Sequence, residues 1–192
     1  MGKILAICTS PKRGTVKTEV PEATLTPEWG IETDAHGGNW HRQVSLLSAE
    51  KIENFRKKIW VDYGAFGENL VVEGFDFRNL PVTSRFQVGE VVLEMTQIGK
   101  ECHNDCVIKQ QTGECIMPHE GVFARVLHGG TLHVGDEMTL EEYLVDYASP
   151  ETAEIGRRLI QDELKNIPNE KVRQIVAERL DRIKHGDRDF RF

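Results

Sequence analysis

The strongest constraint on what this chain can fold into is a succession of short β-type runs. Each is cut off by turn residues before it grows long, over about the first 145 residues. Residues 3–8, 16–20 and 69–73 read as strands, the last after a glycine-rich turn, and Leu80-Pro81-Val82 marks a break. Two segments echo each other: Phe86-Gln87-Val88-Gly89-Glu90-Val91-Val92-Leu93 and Leu132-His133-Val134-Gly135-Asp136-Glu137-Met138-Thr139-Leu140. Each sets Gly-acid between β-type runs. Glycine supplies the positive φ required at the first central position of a two-residue hairpin turn, so both are expected to be hairpins. The fold class is therefore mainly β, and 192 residues suit one domain, or one domain with an appendage.

One helix is expected among the strands. Ser48 is placed to cap it, Glu50 falls in its first turn, and Ile52, Phe55 and Ile59 share a face. The composition changes after Tyr147. Ser149-Pro150-Glu151 combines a cap, a proline at the first helical position and an acid in the first turn. Ile155, Leu159 and Leu164 give that helix an apolar stripe, and Pro168 ends it. Val172, Ile175, Val176, Leu180 and Ile183 mark a second helix, closed by Gly186. The expected organisation is a β domain over residues 1–146 and a C-terminal helical pair with a tail over 147–192. Such a pair is suited to brace the β domain or to build a homodimer.

Charge and composition exclude several classes of function. The net charge is -7, with 29% charged residues and no basic run, so a nucleic-acid binder is not expected: phosphates call for a dense Lys/Arg surface. No apolar run approaches the ~20 residues that span a bilayer. The opening Met1-Gly2-Lys3-Ile4-Leu5-Ala6-Ile7-Cys8 reads as a strand rather than a signal peptide, because Thr9, Ser10, Pro11, Lys12 and Arg13 end the apolar run early. Of four cysteines, Cys102, Cys106 and Cys115 fall in one short segment, which favours metal or thiol chemistry over structural disulfides. A cytoplasmic location is the default expectation.

Three constellations could carry chemistry. The first runs from Gly99-Lys100-Glu101-Cys102-His103-Asn104-Asp105-Cys106 to Cys115 and His119, directly after a strand over residues 91–98. Lys100 and His103 would favour thiolate at Cys102, the form that binds soft metals and attacks sulfur, while Glu101 and Asp105 oppose it. Three readings stay open: a zinc site of Cys102, Cys106 and Cys115 with a histidine such as His103, a single reactive thiol with two auxiliary cysteines, or small buried side chains. The second constellation is the loop Asp34-Ala35-His36-Gly37-Gly38-Asn39-Trp40-His41-Arg42-Gln43-Val44-Ser45. Its Arg42 could grip a phosphate with two prongs, and Asp34, His36 and His41 could ligate a hard or borderline metal. The bland alternative is a solvated loop. The third is Gly64-Ala65-Phe66-Gly67-Glu68-Asn69-Leu70, where Glu68 and Asn69 either fix a ligand or bond the backbone of a neighbouring turn.

Taken together and in order, these pieces resemble the MOSC family, named for the C-terminal domain of molybdenum cofactor sulfurases. The matching stretches are Thr33-Asp34-Ala35-His36-Gly37-Gly38, Arg42-Gln43-Val44-Ser45-Leu46, Gly67-Glu68-Asn69-Leu70, Gln97-Ile98-Gly99-Lys100-Glu101-Cys102 and the Gly130 to Asp136 segment. Five short motifs in one order are specific where each alone is weak. The resemblance is to the small stand-alone branch, and it implies a β-barrel with a few peripheral helices. It also implies that Cys102 is the working thiol, able to hold the molybdenum of the molybdenum cofactor or a molybdenum–sulfur species. Around it, Asp34, His36, Arg42, Glu68, Asn69 and Lys100 would hold the cofactor or an oxyanion, with Cys106, Cys115 and His103 as further metal ligands. Pyridoxal phosphate is not expected, since the sulfurases carry it on a separate domain. A sulfur or electron donor protein would be the partner. Two activities are compatible with the resemblance: delivery of a cofactor or sulfur species, and cofactor-dependent reduction of N-hydroxylated compounds. A structural zinc protein is a third reading.

Overall fold

The computed structural model describes residues 1–80, 82–100 and 107–140, together with Gln174 and Ala177. Pro81, Cys102, His103, Cys106 and the helical pair expected over 147–192 lie outside the described residues, apart from those two positions.

Eleven strands are described: β1 (Gly2–Thr9), β2 (Thr18–Val20), β3 (Glu22–Thr26), β4 (Gly30–Ile31), β5 (Val44–Ser48), β6 (Leu70–Glu73), β7 (Arg85–Val88), β8 (Val91–Ile98), β9 (Val122–His128), β10 (Gly130–His133) and β11 (Glu137–Leu140). Seven of them close a barrel in the order β11-β7-β8-β9-β5-β6-β1, with β1 returning to β11 through Gly2 opposite Met138. The far end of the same β1 edge carries β2, where Ile7 faces Val20. Every barrel pairing is antiparallel except β5–β6, where Leu46 lies beside Leu70. A parallel neighbour requires a crossover, and helix α1 (Ala49–Arg56) lies in the connection between those two strands. A small sheet, β10-β3-β4, adds its buried Ala23, Leu25, Ile31 and Leu132 to the barrel core around Phe86, Leu93 and Val126.

Alternation along the strands separates two apolar layers. Ile4, Ile7, Val44, Leu46, Leu70 and Val72 fill the barrel, while Ala6, Cys8, Leu47 and Val71 face outward against Ile52 and Phe55 of α1. Of the three register shifts among the barrel strands, the bulge in β1 and the one near the end of β8 adjust this alternation, each adding a residue that turns the rest of its strand over. In β1 the register slips between Ile4 and Ala6, so Ala6 faces outward and Ile7 returns to the core. In β8 it slips between Met95 and Gln97, which sets Gln97 beside the outward Phe123.

The hairpin expected at Gly89-Glu90 is present, with Val88 opposite Val91 and Gly89 at φ 57. The one expected at Gly135-Asp136 is not. Gly135 does take φ 98, but β10 pairs with β3 and β11 pairs with β1 and β7. The Gly-acid pair shapes a turn without choosing partners for its flanks. Here Gly135 N–H donates to the Ile4 carbonyl at 2.8 Å, Ile4 N–H donates to Asp136 at 2.9 Å, and the turn passes the chain between sheets.

Three smaller expectations change. Val16 is exposed in the loop before β2. Ile59 is exposed beyond the end of α1, leaving Ile52 and Phe55 to pack the helix. The cysteine-rich stretch contains two short helices, α2 (Val107–Thr112) and α3 (Met117–Glu120), and a 3₁₀ turn occupies Phe77–Asn79.

Candidate functional site

Ser45, Asn69 and Phe123 alternate with core residues along their chain segments and so project from the outer wall of the barrel. With Lys17, His36, Trp40, Arg42, Lys100 and Cys115 they line a cavity of about 560 Å³. That is within the range of about 300–1,000 Å³ usual for small-molecule sites.

The polar foundation of the cavity is the buried Asp34. Its Oδ2 accepts from Lys17 Nζ at 2.5 Å, the Ser10 backbone N–H at 3.0 Å and Asn69 Nδ2 at 3.1 Å. Its Oδ1 accepts from the His36 backbone N–H at 2.8 Å and lies 2.9 Å from His36 Nδ1. Burial pushes this carboxyl up, but the His36 and Lys17 hydrogen bonds and the lysine charge outweigh it and hold it well below the usual carboxylate range. Lys17 is equally buried. Desolvation lowers its ammonium pKa, and Asp34 opposes that effect.

Asn69 ties this foundation to the wall. Besides Asp34, its Nδ2 donates to the Cys8 carbonyl at 2.9 Å, and its Oδ1 accepts from the Ser45 N–H at 3.1 Å. Arg42 stands above it. The guanidinium Nε donates to Gln97 Oε1 at 3.1 Å, and its Cζ sits 5.3 Å from the centre of the Phe123 ring. The β8 bulge makes this arrangement possible by turning Gln97 to Phe123's side of the sheet. The two Nη groups of Arg42 have no partner among the described residues. Burial lowers the guanidinium pKa, yet arginine remains charged in any ordinary medium.

The structure thus brings His36, Arg42, Asn69 and Lys100 to one cavity, with Asp34 directly beneath. Glu68 departs from its expected place as a lining residue. It is fully buried, and its two oxygens accept the Gly64 N–H at 2.7 Å and the Phe66 N–H at 3.0 Å. It therefore holds the loop whose Ala65, Phe66 and Gly67 form the cavity wall. Desolvation pushes its carboxyl up to about 7, against the pull of those backbone hydrogen bonds.

Asp34, His36 and His41 do not form a metal set. Both oxygens of Asp34 are occupied by protein donors, and His41 Nε2 turns to Gln97 Oε1 at 2.9 Å. Among the described residues no three His, Cys, Asp or Glu side chains are grouped to hold a metal ion. Cys115 is half-buried and lines the cavity, whereas Cys8 is sealed in the outer apolar layer, where desolvation pushes its thiol far up. Cys102, Cys106 and His103 lie outside the described residues, although Lys100, two positions before Cys102, lines the cavity.

Lys17 is the residue that sequence reasoning missed. In Val16-Lys17-Thr18 it looks like any outward polar residue of a strand, and only the pairing of its loop against Gly64 buries it. Lys17 N–H donates to the Gly64 carbonyl at 3.3 Å.

A closed seven-stranded barrel with a cavity on its outer wall, whose charged described residues Lys17, Arg42 and Lys100 are all cations, defines a β-barrel module with a cation-lined cavity. The MOSC domain model matches residues 32–139, more than half of the sequence, and the chain belongs to the MOSC family, a domain family associated with the molybdenum cofactor. Solved structures of the same fold include YiiM from Geobacillus stearothermophilus, 17% identical, covering 94% of this chain and 100% of that one with a TM-score of 0.60. YuaD from Bacillus subtilis is 18% identical, covering 72% of this chain and 94% of that one with a TM-score of 0.57. YiiM from Escherichia coli is 18% identical, with 98% coverage of both chains and a TM-score of 0.54. None of the curated proteins matches the sequence. Among the described residues no helix is long and apolar enough to cross a membrane.

Proposed function

We propose that this protein binds a molybdenum cofactor or a molybdenum–sulfur species in the outer-wall cavity and delivers it, or its sulfur, through Cys102. The observation that carries the reading is the charge of the cavity. In a chain of net charge -7, the cavity lining contains the cations Arg42 and Lys100 and no described carboxylate, while the charge of Lys17 is met by Asp34 beneath it. A long-range field that repels anions is reversed locally, as a phosphate or oxyanion site requires. Arg42 offers two Nη groups with no partner among the described residues, on a guanidinium already oriented by Gln97 and Phe123, so little entropy is lost on gripping an anion.

The donor set fits the cofactor by its anionic end. Arg42 and Lys100 would take phosphate or oxyanion oxygens, Asn69 would orient the ligand, and Trp40 and Phe123 would flank its ring system. Cys102 would be the soft ligand or sulfur-carrying thiol, and Cys115 a second thiol in the same cavity. The bound group would supply molybdenum or sulfur chemistry. The protein would bind it, orient it and keep a thiolate beside it. A reducing, cytoplasmic setting belongs to this reading because the thiol must stay reduced. So do a sulfur or electron donor protein and a C-terminal helical unit after residue 146.

Native mass spectrometry of protein from a cofactor-competent host, with and without reductant, tests the proposal. A mass gain equal to the cofactor or to sulfur is expected, absent from Cys102→Ser and reduced in Arg42→Gln. No gain in the wild type, together with equal thiol labelling of the wild type and Cys102→Ser, would overturn it.

A further inference from the structure

We infer that Gln97 is the positioning residue of the cavity's anion site, aiming Arg42 with the oxygen of its side-chain amide and the backbone that enters Lys100 with the nitrogen. This role deepens the function proposed above and rests on its reading of the cavity as an anion site. Gln97 is fully buried. Its Oε1 accepts from Arg42 Nε at 3.1 Å and lies 2.9 Å from His41 Nε2, and its Nε2 donates to the Gly99 carbonyl at 2.6 Å. These contacts fix which way round the amide sits. Turned over, its NH₂ would face the Arg42 N–H, donor against donor, and its oxygen would face the Gly99 carbonyl, acceptor against acceptor.

The Gly99 carbonyl belongs to the planar peptide unit whose nitrogen is that of Lys100. Holding its oxygen therefore sets the plane in which the chain enters Lys100. On the preceding unit, Gly99 N–H donates to the Gly121 carbonyl at 2.7 Å, and Gly99 itself takes a left-handed φ of 67. The chain thus turns off the end of β8 with both peptide units around Gly99 held, and Lys100 lines the cavity. On the other side of Gln97, Arg42 is held at Nε while its Cζ rests over the Phe123 ring, which leaves the two Nη groups for a ligand.

One amide thereby sets the spacing of two cations that no shared segment joins, since Arg42 precedes β5 and Lys100 follows β8. The chemistry requires an amide, because its end offers an acceptor and a donor in one plane. An ionised carboxylate would set an oxygen against the Gly99 carbonyl and neutralise Arg42. A thioether of the same length would hold neither group.

Calorimetry with inorganic phosphate on the full chain tests the double role. Gln97→Met keeps the length of the side chain and removes both hydrogen bonds. It should weaken phosphate binding about three- to tenfold, the range for one misdirected hydrogen bond. Part of that loss should persist in Arg42→Ala, where Gln97 acts through Lys100, and part in Lys100→Ala, where it acts through Arg42. None should persist when both cations are alanine. A loss that vanishes in Arg42→Ala alone would leave Gln97 holding one cation and overturn the inference. Spectra of the ligand-free wild type test the same two contacts whether or not Gln97→Met folds. A coupling across the hydrogen bond should join Gln97 Nε2 to the Gly99 carbonyl carbon, and the Arg42 Nε–H should exchange slowly with water. Absence of either signal would refute the double hold. No phosphate binding by the wild type, with both signals present, would sink the anion reading of the cavity and leave the hold of Gln97 on the two residues standing.

Discussion

Lys17 and Asp34 form an ion pair of 2.5 Å whose side chains are only 2% and 1% exposed, beneath the cavity of the barrel wall. The pair joins the loop before β2 to the His36 loop, and Ser10 and Asn69 complete its shell. Breaking a buried pair by removing one partner costs about 3–5 kcal/mol, because the other charge stays buried. Lys17→Met should lose stability of that order in urea unfolding, and Lys17→Met with Asp34→Leu should recover part of it. A loss below about 1 kcal/mol in the single variant would show that water reaches the pair. The pair also has a pH signature. The folded Asp34 carboxyl lies below its ordinary value, so its stabilisation is complete above about pH 4 and is lost as pH falls through the folded value.

Glu68 should behave in the opposite sense. Its folded carboxyl is raised to about 7 from an ordinary 4.5, so the folded state binds more protons than the unfolded one between those values. Its contribution to stability therefore declines as pH rises from about 4.5 to about 7 and is level beyond. A ¹³C titration of the Glu68 carboxyl should show a midpoint near 7, and one near 4.5 would mean that water reaches it in the folded state.

Two glycines of the loop that supplies Ala65, Phe66 and Gly67 to the cavity wall separate strain from clash. Gly64 and Gly67 have φ values of 88 and 84, so an alanine at either takes a left-handed conformation, at about 1–2 kcal/mol. Around Gly67 a methyl meets nothing within 4 Å, whereas at Gly64 it runs into the Lys17 carbonyl. Gly67→Ala should cost only the strain. Gly64→Ala should cost clearly more, because it pushes the Lys17 backbone and its ion pair with Asp34 out of place. Equal costs in thermal unfolding would refute the close approach.

Arg42 should dominate anion affinity. A hydrogen bond to a charged group is worth about 1.5–3 kcal/mol, so Arg42→Ala should weaken binding of inorganic phosphate by about 10- to 100-fold in calorimetry. Arg42→Lys should not restore it, because lysine has neither the Nε donor that Gln97 holds nor the fork that faces the ligand. Gln97→Ala, which leaves the charge and frees the guanidinium, should produce an intermediate loss. Full affinity in Arg42→Ala would move the site elsewhere.

Much of the fold can be read from local sequence, but pairing partners cannot. The strands at residues 3–8 and 69–73, the Gly89-Glu90 hairpin and the start of α1 follow from β-type runs, a glycine turn and a serine before a helical stripe. Gly135-Asp136 carries the same local cue as Gly89-Glu90, yet its flanking strands join different sheets, because closing the barrel commits β11 to β1 and β7. The two bulges were not visible either. A single extra residue changes no composition, yet in β8 it decides which side of the sheet Gln97 occupies.

The sequence alone determined the chemistry available: a mainly β chain of the MOSC type, with His36, Arg42, Asn69 and Lys100 in motifs that name a site, and a cluster of thiols. Tertiary structure decided which of these groups meet and in what state. It set Asp34 beneath the cavity rather than in it, gave Glu68 to the backbone of its own loop, and recruited Lys17, which no motif marks. The physical reason is desolvation. Burial selects which charges must find partners, and those partners come from segments that only the closed barrel brings together.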